Sequence, residues 1–182
     1  MTEGSAVPPT RIASERAVLR CWEPSDAPAL ERALARTWDD LQRWIPWVFP
    51  VAESVEDLEV RLGTYRRDFL AGRNALYGIW TSDESELQGG AGLYRRVGPG
   101  ALEIGYWVRS DRKNRGMATE AARLLTDAGR ALPGIDVIEI RCDPDHGASQ
   151  AIPKKLGYTL REVLPPDPDH PGGPRETMVW VR

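Results

Sequence analysis

Hydrophobic and polar positions change period several times along this chain, and each change marks an element. Residues 16–22 (Arg-Ala-Val-Leu-Arg-Cys-Trp) alternate, which predicts a strand. Ser25 or Asp26 then caps a helix over Ala27–Ala35, with Pro28 tolerated in its first turn. A tryptophan-rich stretch follows, holding Trp38, Trp44 and Trp47 and closed by Pro46 and Pro50. Ser54 and Asp57 have the spacing of a capping box, and the helix they open carries Leu58, Leu62, Tyr65 and Phe69 on one face. After Gly72 the period falls to two. Strands are expected over Ala75–Thr81, 87–95 and Ala101–Val108, joined by turns at Ser82-Asp83 and Gly98-Pro99-Gly100. Connections this short imply an antiparallel meander. From Gly116 the pattern is helical again, with Ala118, Ala121, Ala122, Leu125 and Ala128 on one stripe that Pro133-Gly134 ends. Val137–Cys142 is a β-branched strand, 148–156 a short helix, and 158–163 and Thr177–Val181 the last strands, around a Pro-, Gly- and Asp-rich loop over 165–174. No repeat or interior linker divides the chain. The expectation is a flexible tail over 1–10 and one α/β domain with a mixed sheet over 11–182.

Composition narrows the classes. A chain of 182 residues, 41% hydrophobic and 28% charged, can bury a core without staples. A net charge of −3 offers no global field for nucleic acid or anionic membrane. The N-terminus lacks the pattern of a signal peptide, and no apolar run approaches the roughly 18 residues of a membrane helix. A cytoplasmic protein is expected. Cys21 and Cys142 lie in apolar, strand-like runs and read as buried, reduced thiols. His146 and His170 have no partner at ligand spacing, so no metal is expected.

The informative unit is a strand, a basic glycine turn and a small-residue helix. The turn reads Ser110-Asp111-Arg112-Lys113-Asn114-Arg115-Gly116-Met117-Ala118. A helix N-terminus carries unpaired amides and the positive end of a dipole, which suits a phosphate. Gly116 and Ala118 keep bulk away from those amides, and Arg112, Lys113 and Arg115 add charge. A solvated basic turn leading into a core helix would have the same sequence. The Gly-Lys-Ser/Thr of a P-loop is missing, and so is the three-glycine dinucleotide fingerprint.

In context, Lys113 to Ala118 resembles the pyrophosphate-binding pattern of the GNAT acetyltransferases, Gln/Arg-x-x-Gly-x-Gly/Ala, with Lys in first place. Upstream, Glu103-Ile104-Gly105-Tyr106-Trp107-Val108 is similar to that superfamily's central strand. Downstream, His146-Gly147-Ala148-Ser149 and Lys155-Leu156-Gly157-Tyr158 resemble its Asn-x-x-Ser and Lys-x-Gly-Phe segments. The strand Ala17-Val18-Leu19-Arg20, the Trp44-Ile45-Pro46-Trp47 stretch and the closing Glu176-Thr177-Met178-Val179-Trp180 look like the RimJ/RimL-type branch, which acetylates protein N-termini and other amines. The pieces occur in the family's order from about Ala17 to the end. The resemblance implies a strongly twisted, largely antiparallel mixed sheet flanked by helices, with a splayed central strand pair. It implies acetyl-CoA as acyl donor and an amine acceptor, either a peptide N-terminus or a small molecule such as an antibiotic, polyamine or amino acid. A non-catalytic acyl-CoA-binding module has the same fold, and a homodimer is a common arrangement of relatives. Cofactor contacts carried over by position are Trp107, Val108, Arg109, Lys113, Asn114, Arg115, Gly116, Met117, Ala118, His146 and Ser149. Two departures stand out: His146 occupies the usual Asn position, and Pro153 the place of the Tyr held to protonate the leaving thiolate.

Aminolysis of a thioester needs a neutral amine, a polarised carbonyl and a proton for the thiolate. Glu103 shares a strand face with Ala101, Gly105 and Trp107, and reads either as the base or as the partner of a neighbouring arginine. Ser149 matches the serine given the acid role in the RimJ/RimL branch, and N-capping of the short helix would explain it equally well. Backbone amides from Trp107 to Arg109 are the candidates for polarising the carbonyl. Trp38, Trp44 and Trp47 either wall the acceptor site or pack the early helices, and Tyr77 and Tyr94 are as ambiguous. No activated cysteine is evident, so direct transfer through a ternary complex is expected.

Overall fold

A computed structural model describes residues 7–169 and 173–182. Positions 1–6 of the expected tail, and His170, lie outside the described residues. In chain order the elements are β1 (Arg11–Ala13), β2 (Ala17–Cys21), α1 (Ala27–Ala35), α2 (Trp38–Trp44), α3 (Val55–Leu70), β3 (Ala75–Thr81), β4 (Leu87–Tyr94), β5 (Ala101–Val108), α4 (Met117–Arg130), β6 (Val137–Cys142), α5 (Gly147–Lys155), β7 (Thr159–Leu164) and β8 (Thr177–Val181). The strands form one eight-stranded sheet in the order β1-β2-β3-β4-β5-β6-β8-β7. The expected meander is β3-β4-β5, antiparallel throughout, and the β5–β6 pair is parallel, with α4 in the crossover. Ser54 and Asp57 form the reciprocal capping box that starts α3.

Two elements, β1 and α2, go beyond the sequence expectation. Trp38–Trp44 is a helix, opened by acidic Asp39 and Asp40, which suit the positive end of its dipole. The tail expected to be loose through Thr10 is tied down over its described part. Pro8 is buried, the Tyr77 hydroxyl donates to the Pro9 carbonyl (2.8 Å), and the Cys21 amide donates to Thr10 O (2.8 Å). A phenol as deeply buried as Tyr77 needs an acceptor, and the incoming chain provides it.

Alternation sends the strands' two faces to two cores. Leu19, Tyr77, Ile79, Leu93, Leu102, Ile104, Ile138 and Ile140 pack with Ala121, Ala122 and Leu125 of α4. On the other face Val18, Trp22 and Trp80 pack with Leu30 and Leu34 of α1 and Leu58 and Leu62 of α3. Cys21 and Cys142 are buried free thiols, as their setting implied.

Glycines on the second face are floors for aromatic rings. A Cβ on Gly90 would lie 2.6 Å from the Trp107 indole, one on Gly105 3.0 Å from Tyr94, and one on Gly78 2.5 Å from Trp80. The rings occupy volume that side chains on those strands would otherwise take. Gly89 is different, because there the neighbour is backbone: its Cβ would stand 2.1 Å from the Trp107 carbonyl oxygen. Gly89→Ala should therefore force β4 and β5 apart and destabilise the fold by about 1–3 kcal/mol. A lower urea midpoint with unchanged slope is the expected result.

Candidate active site

The β5–β6 ladder is short. Its paired positions run from Ala101 with Val137 to Ile104 with Ile140, and there it stops. Beyond that point β5 continues beside β4 to Val108, and β6 continues beside β8 to Cys142. The two central strands thus part, and among the described residues Gly105 to Val108 have a strand on one side only. The Arg109 amide donates to Gln88 O on the β4 side (2.8 Å). Alternation turns the Trp107 amide the same way and turns those of Tyr106 and Val108 into the gap. Of the three amides expected to polarise a carbonyl, that of Val108 faces the gap and those of Trp107 and Arg109 are committed to β4, while the Tyr106 amide faces the gap as well. Arg109 is also spent as a side chain. It is buried and donates to Asp111 (2.7 and 3.0 Å), Glu86 (2.7 Å) and Leu87 O (2.9 Å), so it anchors the turn from within.

That turn brings the chain to α4. Asn114 (φ 61°) and Gly116 (φ 79°) both take left-handed backbone, which reverses the chain and aims the first turn of α4 at the mouth of the gap. Gly116 is the N-cap and has no side chain to offer the helix amides, and the first backbone bond of α4 is Glu120 N–H to Gly116 O (2.9 Å). The amides of Met117, Ala118 and Thr119 are left for an external acceptor. Arg16 adds a cation that sequence reasoning missed: its guanidinium donates to Arg115 O (2.8 Å) and lies 3.1 Å from where a Gly116 Cβ would be. Arg115 is exposed beside it. Lys113 is held by Asp40 of α2 (2.5 Å), which also accepts from the Ser110 hydroxyl. Burial works to raise the Asp40 pKa, but the bonds from Lys113 and Ser110 outweigh it and hold the carboxyl below its usual value.

The opposite lip is the β6–α5 connection. His146 is the N-cap residue of α5, and Ser149 lies inside the helix with no capping bond, which removes the N-cap reading of Ser149. The serine faces the gap instead. Tyr106 Oη lies 3.3 Å from Ser149 Oγ and donates to Ser149 O at 3.3 Å. Pro153 explains the second contact. A proline at this place in the helix has no N–H for the carbonyl four residues back, so Ser149 O is left open and takes the phenol. Burial pushes the Tyr106 phenol far up, keeping it protonated and a donor. Burial likewise raises the Cys142 thiol, so this cysteine is no ready nucleophile.

Glu103 lies below the gap, where the β5–β6 ladder is intact. Its carboxylate takes a bidentate pair from Arg96 (2.6 and 2.8 Å), with Arg141 at 4.0 Å. Of its two sequence readings, this is the geometry of the arginine partner. Next to it Glu139, also buried, is bridged by Arg141 (3.0 Å) and Arg161 (2.8 Å). Of the tryptophans, Trp38 packs in the second core. Trp44 stacks on the His146 ring (3.9 Å between centroids, 19°), and Arg175 sits over Trp47. Helix α2 thus touches both lips of the gap, through Asp40 on one side and Trp44 on the other.

The fold is shared with solved acetyltransferases. The RimL ribosomal L7/L12 α-N-protein acetyltransferase, solved as a coenzyme A complex with the coenzyme disulfide-linked to a cysteine, has a TM-score of 0.80 at 22% identity over 97% of each chain. The microcin C7 self-immunity acetyltransferase MccE, solved with acetyl-CoA and AMP, gives 0.84 at 17% identity over 97% of each chain. An acetyltransferase from Salmonella typhimurium that modifies the N-terminal serine of L7/L12 gives 0.77 at 21% identity, over 97% of this chain and 98% of its own. No curated protein matches the chain in sequence. The family model described as an acetyltransferase (GNAT) domain matches residues 16–159, which include the parted strands, the glycine turn and the α5 lip. The chain belongs to the GNAT acetyltransferase family.

Proposed function

We propose that this protein is an N-acetyltransferase that moves acetyl from acetyl-CoA directly to a primary amine, with a protein N-terminus as the acceptor. The observation that carries the reading is the open edge of β5: amides of Tyr106 and Val108 face a gap with a cationic helix N-terminus at its mouth and a paired hydroxyl and phenol at its wall. Acetyl-CoA supplies the activated thioester. The amides of Met117, Ala118 and Thr119, with Lys113, Arg115 and Arg16 around them, suit its pyrophosphate. The gap-facing amides of β5 suit the pantetheine arm and the thioester oxygen, where charge develops during attack. Ser149, held by Tyr106, is the donor for the departing thiolate. With Cys142 buried and protonated, transfer needs no acyl-enzyme.

Likeness to the ribosomal-protein enzymes supports a peptide N-terminus as acceptor, in the cytoplasm. Likeness to MccE, solved with AMP, supports a small-molecule amine as the second reading. Thiol release from acetyl-CoA should be fastest with peptides beginning Ser, Ala or Met. Faster release with polyamines, amino acids or aminoglycosides would favour the second reading, and no release with any amine would leave only a binding module.

Two variants test the parts. Asp40→Asn removes a carboxylate from the turn and frees Lys113, so acetyl-CoA should bind about two- to fivefold more tightly. Calorimetry that found weaker binding would mean Asp40 organises the turn for the donor. Ser149→Ala should lower kcat on the order of tenfold. Its melting temperature should hold, since no cap is lost and alanine is the better helix former. Unchanged kcat would remove the acid role.

A further inference from the structure

The base for the acceptor amine is the missing part of this site. Glu103 is taken by Arg96 at 2.6 and 2.8 Å, and Asp40 by Lys113 and Ser110. Asp143 accepts from the Asp145 amide (2.8 Å) and pairs with Arg175 (3.5 Å). At the same lip stands an imidazole with a different arrangement. His146 is half-buried and fixed by two contacts that leave its ring nitrogens unused: its face lies on Trp44, and its backbone amide donates to Asp143 O (3.0 Å). Neither ring nitrogen has a hydrogen-bond partner among the described residues. The ring sits between α2, which spans the mouth, and the first turn of α5, which carries Ser149 to the gap.

Resting on the acetyltransferase reading above, we propose that His146 is the proton acceptor for the incoming amine, in a position where the family pattern has an asparagine that cannot take a proton. The acceptor enters beside Trp44 as an ammonium. The imidazole removes one proton, and the freed nitrogen lone pair attacks the thioester carbonyl. The carbon–sulfur bond then breaks, the thiolate is protonated through Ser149, and the second proton lost by nitrogen balances that transfer. The imidazolium returns its proton to water. The charged groups facing the ring are Lys113 from the β5 turn, Asp40 and Arg43 from α2, and Asp143 from its own loop. Burial first, and then the Lys113 charge, hold the imidazole pKa below 6.5, so the ring is neutral and ready at neutral pH.

The test is the pH profile of kcat/KM for the amine in wild type, His146→Asn, His146→Gln and Glu103→Gln, with acetyl-CoA affinity and melting temperature measured on each. Wild type should show an acid limb below pH 6.5, the reference imidazole value. Both histidine variants should fold, bind acetyl-CoA within about threefold of wild type, lose tenfold or more in kcat/KM at pH 7, and lack that limb. Glu103→Gln should keep it. Histidine variants that retain the limb and the rate would overturn the role of His146 while leaving the acetyltransferase reading intact. A loss confined to acetyl-CoA affinity would make His146 a donor contact and overturn the proposal as well. A wild type that acetylates no amine would overturn the reaction and this role together.

Discussion

Everything at the site depends on where the β5–β6 ladder stops. A strand edge inside a sheet is normally consumed by its neighbour, because buried amides and carbonyls left unpaired are costly. Here pairing ends at Ile104 and Ile140, and the next turns of chain on both sides go elsewhere: β5 toward the glycine turn, β6 toward α5. The separation is not disorder at a sheet margin. It lies between the two central strands, each firmly paired on its other side, to β4 and to β8. The backbone polar groups so exposed are rigid, aimed and shielded on the far side, which is the condition for hydrogen bonding to a substrate without reorganisation.

The lips of the gap are fixed by different means. On the β5 side the buried Arg109 ties the turn to Glu86, Asp111 and Leu87, and two left-handed residues set the direction of α4. On the β6 side the support is side-chain packing, with Trp44 flat on His146 and Tyr106 against Ser149. Helix α2 joins the sides across the mouth. Below, the paired glutamates and three arginines brace the last closed rungs of the ladder.

How much of this was legible in the sequence follows from the range of the interactions. The alternation of β3, β4 and β5, the box at Ser54 and the stripe of α4 are local patterns, and all were readable. The glycine turn was readable because Gly116 and its basic neighbours are contiguous. What escaped were pairings made across the chain. Asp40 meets Lys113, Arg16 reaches Arg115, and Trp44 meets His146, each joining segments that no periodicity links. Glu103 and Ser149 show a second limit. Both residues were picked out, yet the side chain each one meets, Arg96 for Glu103 and Tyr106 for Ser149, is a partner that only the folded sheet selects. Trp107 and Arg109 show a third, since the strand's phase relative to β4 decides which amides are free, and register is a tertiary property.

Pro153 has a consequence for how this sequence varies. By withholding an amide it leaves Ser149 O open, and the Tyr106 phenol fills that vacancy. The two residues are 47 positions apart and never adjacent in any local motif. They nonetheless form one unit of inheritance: a chain that regains an amide donor at 153 closes its own helix and releases the phenol to turn elsewhere. Substitutions at 106 and 153 should therefore travel together among sequences that share this lip, and a homologue carrying only one of the two would have a differently oriented serine.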